Sequence, residues 1–170
     1  DFIKFYTETI GMECYGESIG CCLEDEVSGK LTFNAAIIDL DEESAKLTIN
    51  IRYPVTLTSE RVYEGIIPII KEYGVEMVED MHYKPHYLPK EHPLVKTLVK
   101  VYNDITGEYA EPVTMGGGTY ARALENAVAF GPTFPGQVEL AHQRDEYISI
   151  EDLIKITKIY VNALYELDKH

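Results

Sequence analysis

The sequence predicts an α+β unit over residues 1–85 followed by an α/β segment over residues 88–170. Three observations predict this: apolar and polar residues alternate between Leu31 and Tyr53, apolar residues recur at helical spacing in three stretches with end signals, and a proline-rich stretch separates the halves. The strict alternation of Lys46-Leu47-Thr48-Ile49-Asn50-Ile51-Arg52-Tyr53 belongs to a strand with one buried face, so Leu47, Ile49, Ile51 and Tyr53 face a core and Arg52 faces outward.

In chain order, Phe2, Phe5, Tyr6 and Thr9 lie on one side of a short helix closed by Gly11. Residues 12–30 read as a mixed connector. Leu31 to Ile38 is a strand, Asp39 to Ala45 an acidic turn, and Lys46 to Tyr53 a second strand that Pro54 ends. Ser59 is the expected N-cap of a helix through Val62, Ile66, Ile69, Ile70 and Tyr73, stopped by Gly74, with Pro68 an awkward interior member. Val75 to Met81 reads as a third strand, so the order is β-β-α-β.

Three prolines from Tyr83 to Pro93, Pro85, Pro89 and Pro93, make an extended, stiff boundary. Beyond it, Pro93 opens a helix with Leu94, Val95, Leu98, Tyr102 and Ile105 as its stripe and Gly107 as its stop. Pro112 to Met115 and Ala127 to Phe130 read as short buried parallel strands, joined through a short helix at Tyr120 to Leu124. The last helix begins at Ser149 with Asp152 three residues on, and Leu153, Ile156, Tyr160, Leu164 and Leu167 form one face.

A net charge of −14 excludes phosphate-backbone binding, which needs clustered Lys and Arg, so no nucleic-acid partner is expected. No apolar run reaches the eighteen or so residues of a membrane span, and the first residues lack a signal-peptide pattern; a cytoplasmic protein with no membrane partner is the expectation. The chain opens without Met in what reads as mid-helix, which predicts a piece of something longer. Cys14, Cys21 and Cys22 match no CxxC spacing and predict reduced, half-buried thiols.

The chemistry-bearing stretch is Met115-Gly116-Gly117-Gly118-Thr119-Tyr120-Ala121-Arg122. Three glycines in a row suit a place where backbone approaches a ligand or takes positive φ, although a flexible turn uses them too. Neither GxGxxG nor GxxxxGK[ST] is present, which leaves a backbone cradle for a smaller group such as a carboxylate or an oxyanion. His142 stands in a polar loop with Asp145 and Glu146 nearby, as either a surface histidine or one ligand of a metal site. His82 and His86 are spaced as a helical metal pair, but Pro85 denies them the helix. Arg52 is either a solvated charge or a fork for a substrate carboxylate.

Taken together, Asn50-Ile51-Arg52-Tyr53-Pro54, Ile105-Thr106-Gly107, the GGGTYAR run, Asn126-Ala127-Val128-Ala129-Phe130-Gly131-Pro132 and His142 with Asp145-Glu146 resemble one family. It is the co-catalytic zinc peptidase family of carboxypeptidase G, acetylornithine deacetylase, succinyl-diaminopimelate desuccinylase and carnosinase, and the resemblance is strongest to its PepV-type bacterial dipeptidases. The resemblance implies that residues 1–85 are the second half of a ferredoxin-like lid domain and that 88–170 are the C-terminal part of the zinc-binding catalytic domain. It implies that His142 is a metal ligand with Glu146 behind it, that Arg52 holds the substrate carboxylate, and that Gly117, Gly118 and Thr119 line the substrate site.

The family's His-x-Asp motif, bridging carboxylate and Glu-Glu pair have no counterpart in this sequence. No catalytic residue is therefore assigned here. The resemblance implies a C-terminal fragment of a dinuclear zinc dipeptidase, with a dipeptide as substrate and a pair of zinc ions in the intact parent that this chain is not expected to bind fully. The fragment alone is expected to be inactive and open to self-association. An amidohydrolase acting on N-acyl amino acids, or a non-catalytic binding module that kept the pattern, are the other readings.

Overall fold

The computed structural model describes residues 2–131 and 133–169. The chain forms two compact units, Asp1–His86 with Thr114–Gly116, and Tyr87–Val113 with Gly117–His170.

In the first unit, helix α1 (Phe2–Thr9) buries Phe5 and Thr9. The Thr9 hydroxyl donates to the Phe5 carbonyl at 2.7 Å, which satisfies it inside the core. Strands β1 (Glu24–Asp25) and β2 (Gly29–Lys30) make a minimal antiparallel hairpin, and β3 (Thr32–Leu40) pairs antiparallel with β4 (Ala45–Arg52). The predicted acidic turn shrinks to residues 41–44, because Asp41 Oδ1 accepts from the Glu43 and Ser44 amides at 2.8 and 2.7 Å and closes the chain tightly.

The parity expected on β4 is observed: Leu47, Ile49 and Ile51 turn inward, while Thr48, Asn50 and Arg52 are exposed. They pack, with Phe33 and Ala35 of β3, on Val62, Ile66 and Ile70 of α2 (Ser59–Glu72). A bulge between Ala35 and Ile37 breaks this phase on β3, and beyond it Ile37 is 61% and Ile38 49% exposed.

The N-cap position of helix α2 is Thr58, whose side chain makes no capping hydrogen bond, rather than the expected Ser59, which is the first helical residue and is buried. The helix runs through Pro68 without a break. It ends in a Schellman arrangement: Val75 N donates to Ile70 O at 3.0 Å and Gly74 N to Lys71 O at 3.1 Å, with Gly74 at φ 67°. The expected third strand at Val75 to Met81 forms no ladder: Val75 packs on the core, but Val78 is 85% and Met81 69% exposed, and among the described residues the free edges of the two-stranded β3–β4 sheet stay unpaired. The unit is α+β, with two two-stranded sheets in place of the β-β-α-β sheet.

The connector at residues 12–30 is more ordered than its composition suggests. Asp25 Oδ1 accepts from the Val27 and Ser28 amides and the Ser28 hydroxyl, and Oδ2 accepts from the Thr56 amide and hydroxyl. Partial burial raises the Asp25 pKa, but these hydrogen bonds outweigh it and hold the carboxyl well below the usual carboxylate range. A depressed folded-state value contributes stability that is complete above the unfolded pKa of about 4 and is lost progressively as pH falls below that. Asp25→Asn should cost about 1 kcal/mol at pH 7 and flatten the fall in Tm between pH 5 and pH 2.5; parallel melting curves for the two proteins would refute this assignment. Of the cysteines, Cys21 is fully buried and burial pushes its thiol up to about 12, whereas Cys14 and Cys22 are exposed rather than half-buried.

In the second unit, α3 (Pro93–Thr106) starts with Pro at N1, with His92 Nδ1 accepting from Leu94 N at 3.3 Å, and stops at Gly107 in the left-handed conformation. Helix α4 (Ile150–Leu167) is capped by Ser149, whose hydroxyl accepts from Asp152 N at 3.0 Å. The two helices pack together, with Val95, Leu98 and Val101 of α3 and Ile156, Ile159 and Ala163 of α4 buried. The expected α4 face of Leu153, Ile156, Tyr160, Leu164 and Leu167 is thus rotated: Leu153 is 51% and Leu164 70% exposed. The helix is apolar on more than one side, and the periodicity alone could not say which side meets α3. A 3-10 turn at Tyr120–Ala123 stands where the short helix was expected. Residues 112–115 and 127–130 form no strands, and Val113 is 88% exposed, because parallel strands need cover on both faces that this unit does not supply.

Candidate functional site

Within the first unit, strand parity places Arg52 on the outward face of β4, at its last residue. Its Nε donates to Asn50 Oδ1 at 3.3 Å and its Nη1 donates to the carbonyl of Gly116. Gly116 opens the glycine run, and a Cβ there would lie 3.4 Å from Arg52 Nη1. Among the described residues no carboxylate forms an ion pair with Arg52. Its cross-strand neighbour is Thr32, and Asn34 stands opposite Asn50. The arginine therefore presents its charge among neutral hydrogen-bonding side chains, on a chain that carries 29 acidic residues.

Close to the same strand end, the Tyr53 hydroxyl and His82 Nε2 are 2.8 Å apart and their rings stack at 5.9 Å. Burial, then the charges of Glu60 and Glu79, push the Tyr53 hydroxyl up. The Tyr63 hydroxyl donates to Glu79, and burial together with that carboxylate raises it to about 12. His82 is thus engaged by a tyrosine, and residues 81–88 run without a helix, so the His82 and His86 spacing does not become a helical pair.

In the second unit, the remaining glycines form an exposed loop that enters the 3-10 turn. Thr119 caps that turn, its hydroxyl accepting from Ala121 N at 3.3 Å. A Cβ on Gly118 would come within 2.9 Å of Arg122 Nη1, so the absence of a side chain there makes room for that guanidinium. Gly117 and Gly118 are both exposed.

His142 lies in a separate exposed turn at φ 62°, its amide donating to Glu146 Oε2 at 3.3 Å; Asp145 shares the positive φ at 61°. His and Asp are among the residues that take the left-handed region most readily in turns. Glu146 thus lies behind His142 through the main chain and not the imidazole. Among the described residues no hydrogen bond or ion pair joins His142 to the glycine loop.

A structural zinc takes four protein ligands and a catalytic one three. No group of three His, Cys, Asp or Glu able to hold a metal is found among the described residues. His142 offers one exposed imidazole, so the donors gathered here do not by themselves fit a zinc ion. Pro132, the last residue of the NAVAFGP motif, lies outside the described residues. The Asn50 contact and the Asp25 network were not read from sequence; parity announces a face but not which side chains on it touch.

The chain belongs to a family of peptidases. Residues 8–166 match the model of peptidase family M20/M25/M40. Among its relatives, a Bacillus subtilis protein provisionally named dipeptidase YtjP is 44% identical over 169 residues, 99% of this chain and 36% of its own length. Proteins provisionally named dipeptidases from Staphylococcus epidermidis and Staphylococcus haemolyticus are 39% and 37% identical over 168 residues, 98% of this chain and 36% of theirs. The chain thus spans little more than a third of the length of these relatives.

Proposed function

We propose that these residues are the C-terminal portion of a zinc-dependent dipeptidase, and that Arg52 is its clamp for the substrate's free carboxylate. The observation that carries this reading is Arg52 itself: an outward-facing guanidinium with no carboxylate partner among the described residues, held beside the first glycine of the glycine run. A planar fork of this kind matches a carboxylate in geometry and charge. The names of the relatives support a dipeptide over other peptides.

In this reading residues 1–85 are the second half of a lid domain, its ferredoxin-like sheet completed by the segment at 75–81 in the longer polypeptide. Residues 88–170 are the C-terminal part of the catalytic domain. Gly117, Gly118 and Thr119 line the substrate, and their bare backbone lets its main chain approach closely. His142 contributes one imidazole to a pair of zinc ions whose other ligands come from residues outside this sequence. The chain alone is inactive, since one imidazole cannot hold the pair. Exposed α4 side chains such as Ile150 and Leu164, 78% and 70% accessible, favour self-association of the chain when it stands alone.

The protein acts in the cytoplasm, on dipeptides, without nucleic acid or membrane as partner; no helix among the described residues is long and apolar enough to cross a membrane. The test is an assay of the longer polypeptide with Xaa-His and Ala-containing dipeptides against N-acyl amino acids. Hydrolysis of the dipeptides is the expected result, and activity confined to the N-acyl substrates would replace the dipeptidase reading with an amidohydrolase one.

A further inference from the structure

We infer that Asn50 is a positioning residue for Arg52 and that it sets how strongly the site demands a free carboxylate. The inference rests on the clamp reading of Arg52 and adds a residue to it.

Asn50 and Arg52 are two apart on β4, so both side chains leave the sheet on the same face. Arg52 is a long side chain at a strand end, exposed, and would sample many rotamers if nothing held it. Two contacts hold it: Nε to Asn50 Oδ1 at 3.3 Å, and Nη1 to the Gly116 carbonyl. The N–H groups left over are both on Nη2 and one on Nη1. These leave both Nη atoms able to donate to a carboxylate.

The chemical choice of asparagine matters as much as its place. An amide oxygen orients the guanidinium but carries no net charge, so the attraction for an incoming anion is left intact. An aspartate at the same position would make the same hydrogen bond and neutralise the cation. Cross-strand, Asn34 faces Asn50 and Thr32 faces Arg52, so no neighbouring acid on the paired strand competes either.

Two measurements test this. In the 170-residue chain, the Arg52 Nε–H resonance, identified by its loss in Arg52→Lys, should exchange with water roughly fivefold or more faster in Asn50→Ala and stay slow in Asn50→Asp. In the longer polypeptide, Asn50→Ala should raise KM for a dipeptide about fivefold and leave its C-terminal amide unchanged, while Asn50→Asp should raise the dipeptide KM further.

Unchanged Nε–H exchange in Asn50→Ala overturns the inference, as does an equal KM rise for dipeptide and amide, which would mark a merely structural role. If Arg52→Ala leaves the dipeptide-to-amide preference untouched, the clamp reading itself fails, and the exchange measurement still decides whether Asn50 holds Arg52.

Discussion

Replacing Arg52 by alanine in the longer polypeptide should raise KM for a free dipeptide about 100-fold, close to 3 kcal/mol of binding, while the C-terminal amide of the same dipeptide is turned over as before. The size follows from the kind of contact removed. A bidentate, charge-assisted pair is among the strongest polar interactions a site can make, and truncating it leaves the substrate carboxylate with nothing but water. Arg52→Lys keeps the charge and loses the fork, so it should recover only part of the loss, leaving KM roughly tenfold high. Because Arg52 is exposed and pairs with no carboxylate among the described residues, neither variant should change the stability by more than about 0.5 kcal/mol. A normal melting curve together with an unchanged KM would return Arg52 to the status of a solvated surface charge.

How much of this could be read from the sequence depends on whether the determining physics was local. Strand β4 was legible because one face is buried and the period of two is exact, and the same parity put Arg52 outward. Helix ends were legible at Pro93, Gly107, Ser149 and Gly74, where a single residue's chemistry decides the matter. The segment at 75–81 differs for the opposite reason: strand propensity becomes a strand only where the segment docks on a sheet edge, and no local signal reports whether it does so.

The bulge after Ala35 and the choice of buried face on α4 are likewise settled by partners distant in sequence. At the candidate site, residue types announced themselves, but their contacts did not. Asn50 reads as an ordinary outward residue until its oxygen is seen on Arg52 Nε. Asp25 reads as one acid among many until its carboxylate is seen fastening the β1–β2 hairpin to Thr56.

The least legible contact carries the largest expected effect on stability. Gly65 lies within α2, where glycine is intrinsically worse than alanine by about 1 kcal/mol, so propensity alone predicts that Gly65→Ala stabilises the protein. The structure predicts the reverse. A Cβ on Gly65 would overlap the carbonyl oxygen of Gly20, and a Cβ on Gly20 would come within 2.9 Å of the Gly65 carbonyl, so helix and turn meet backbone to backbone. Gly20 also sits at φ 82°, which other residues rarely adopt, so the turn cannot easily retreat by changing its conformation. The neighbours on both sides are core: Ile19 and Cys21 are 1% and 0% exposed, and Val62 and Ile66 on α2 are 1% and 4% exposed. Pushing α2 outward to admit one methyl would open those contacts together, and overpacking against backbone has no flexible side chain to absorb it. Gly65→Ala should therefore cost about 3 kcal/mol or more, seen as a large fall in the denaturant midpoint of the first unit. Gly74→Ala, at φ 67° with open space around it, should cost only about 1 kcal/mol. A Gly65→Ala protein as stable as its parent would mean that α2 does not rest on the Gly20 turn, and that helix propensity governs the position after all.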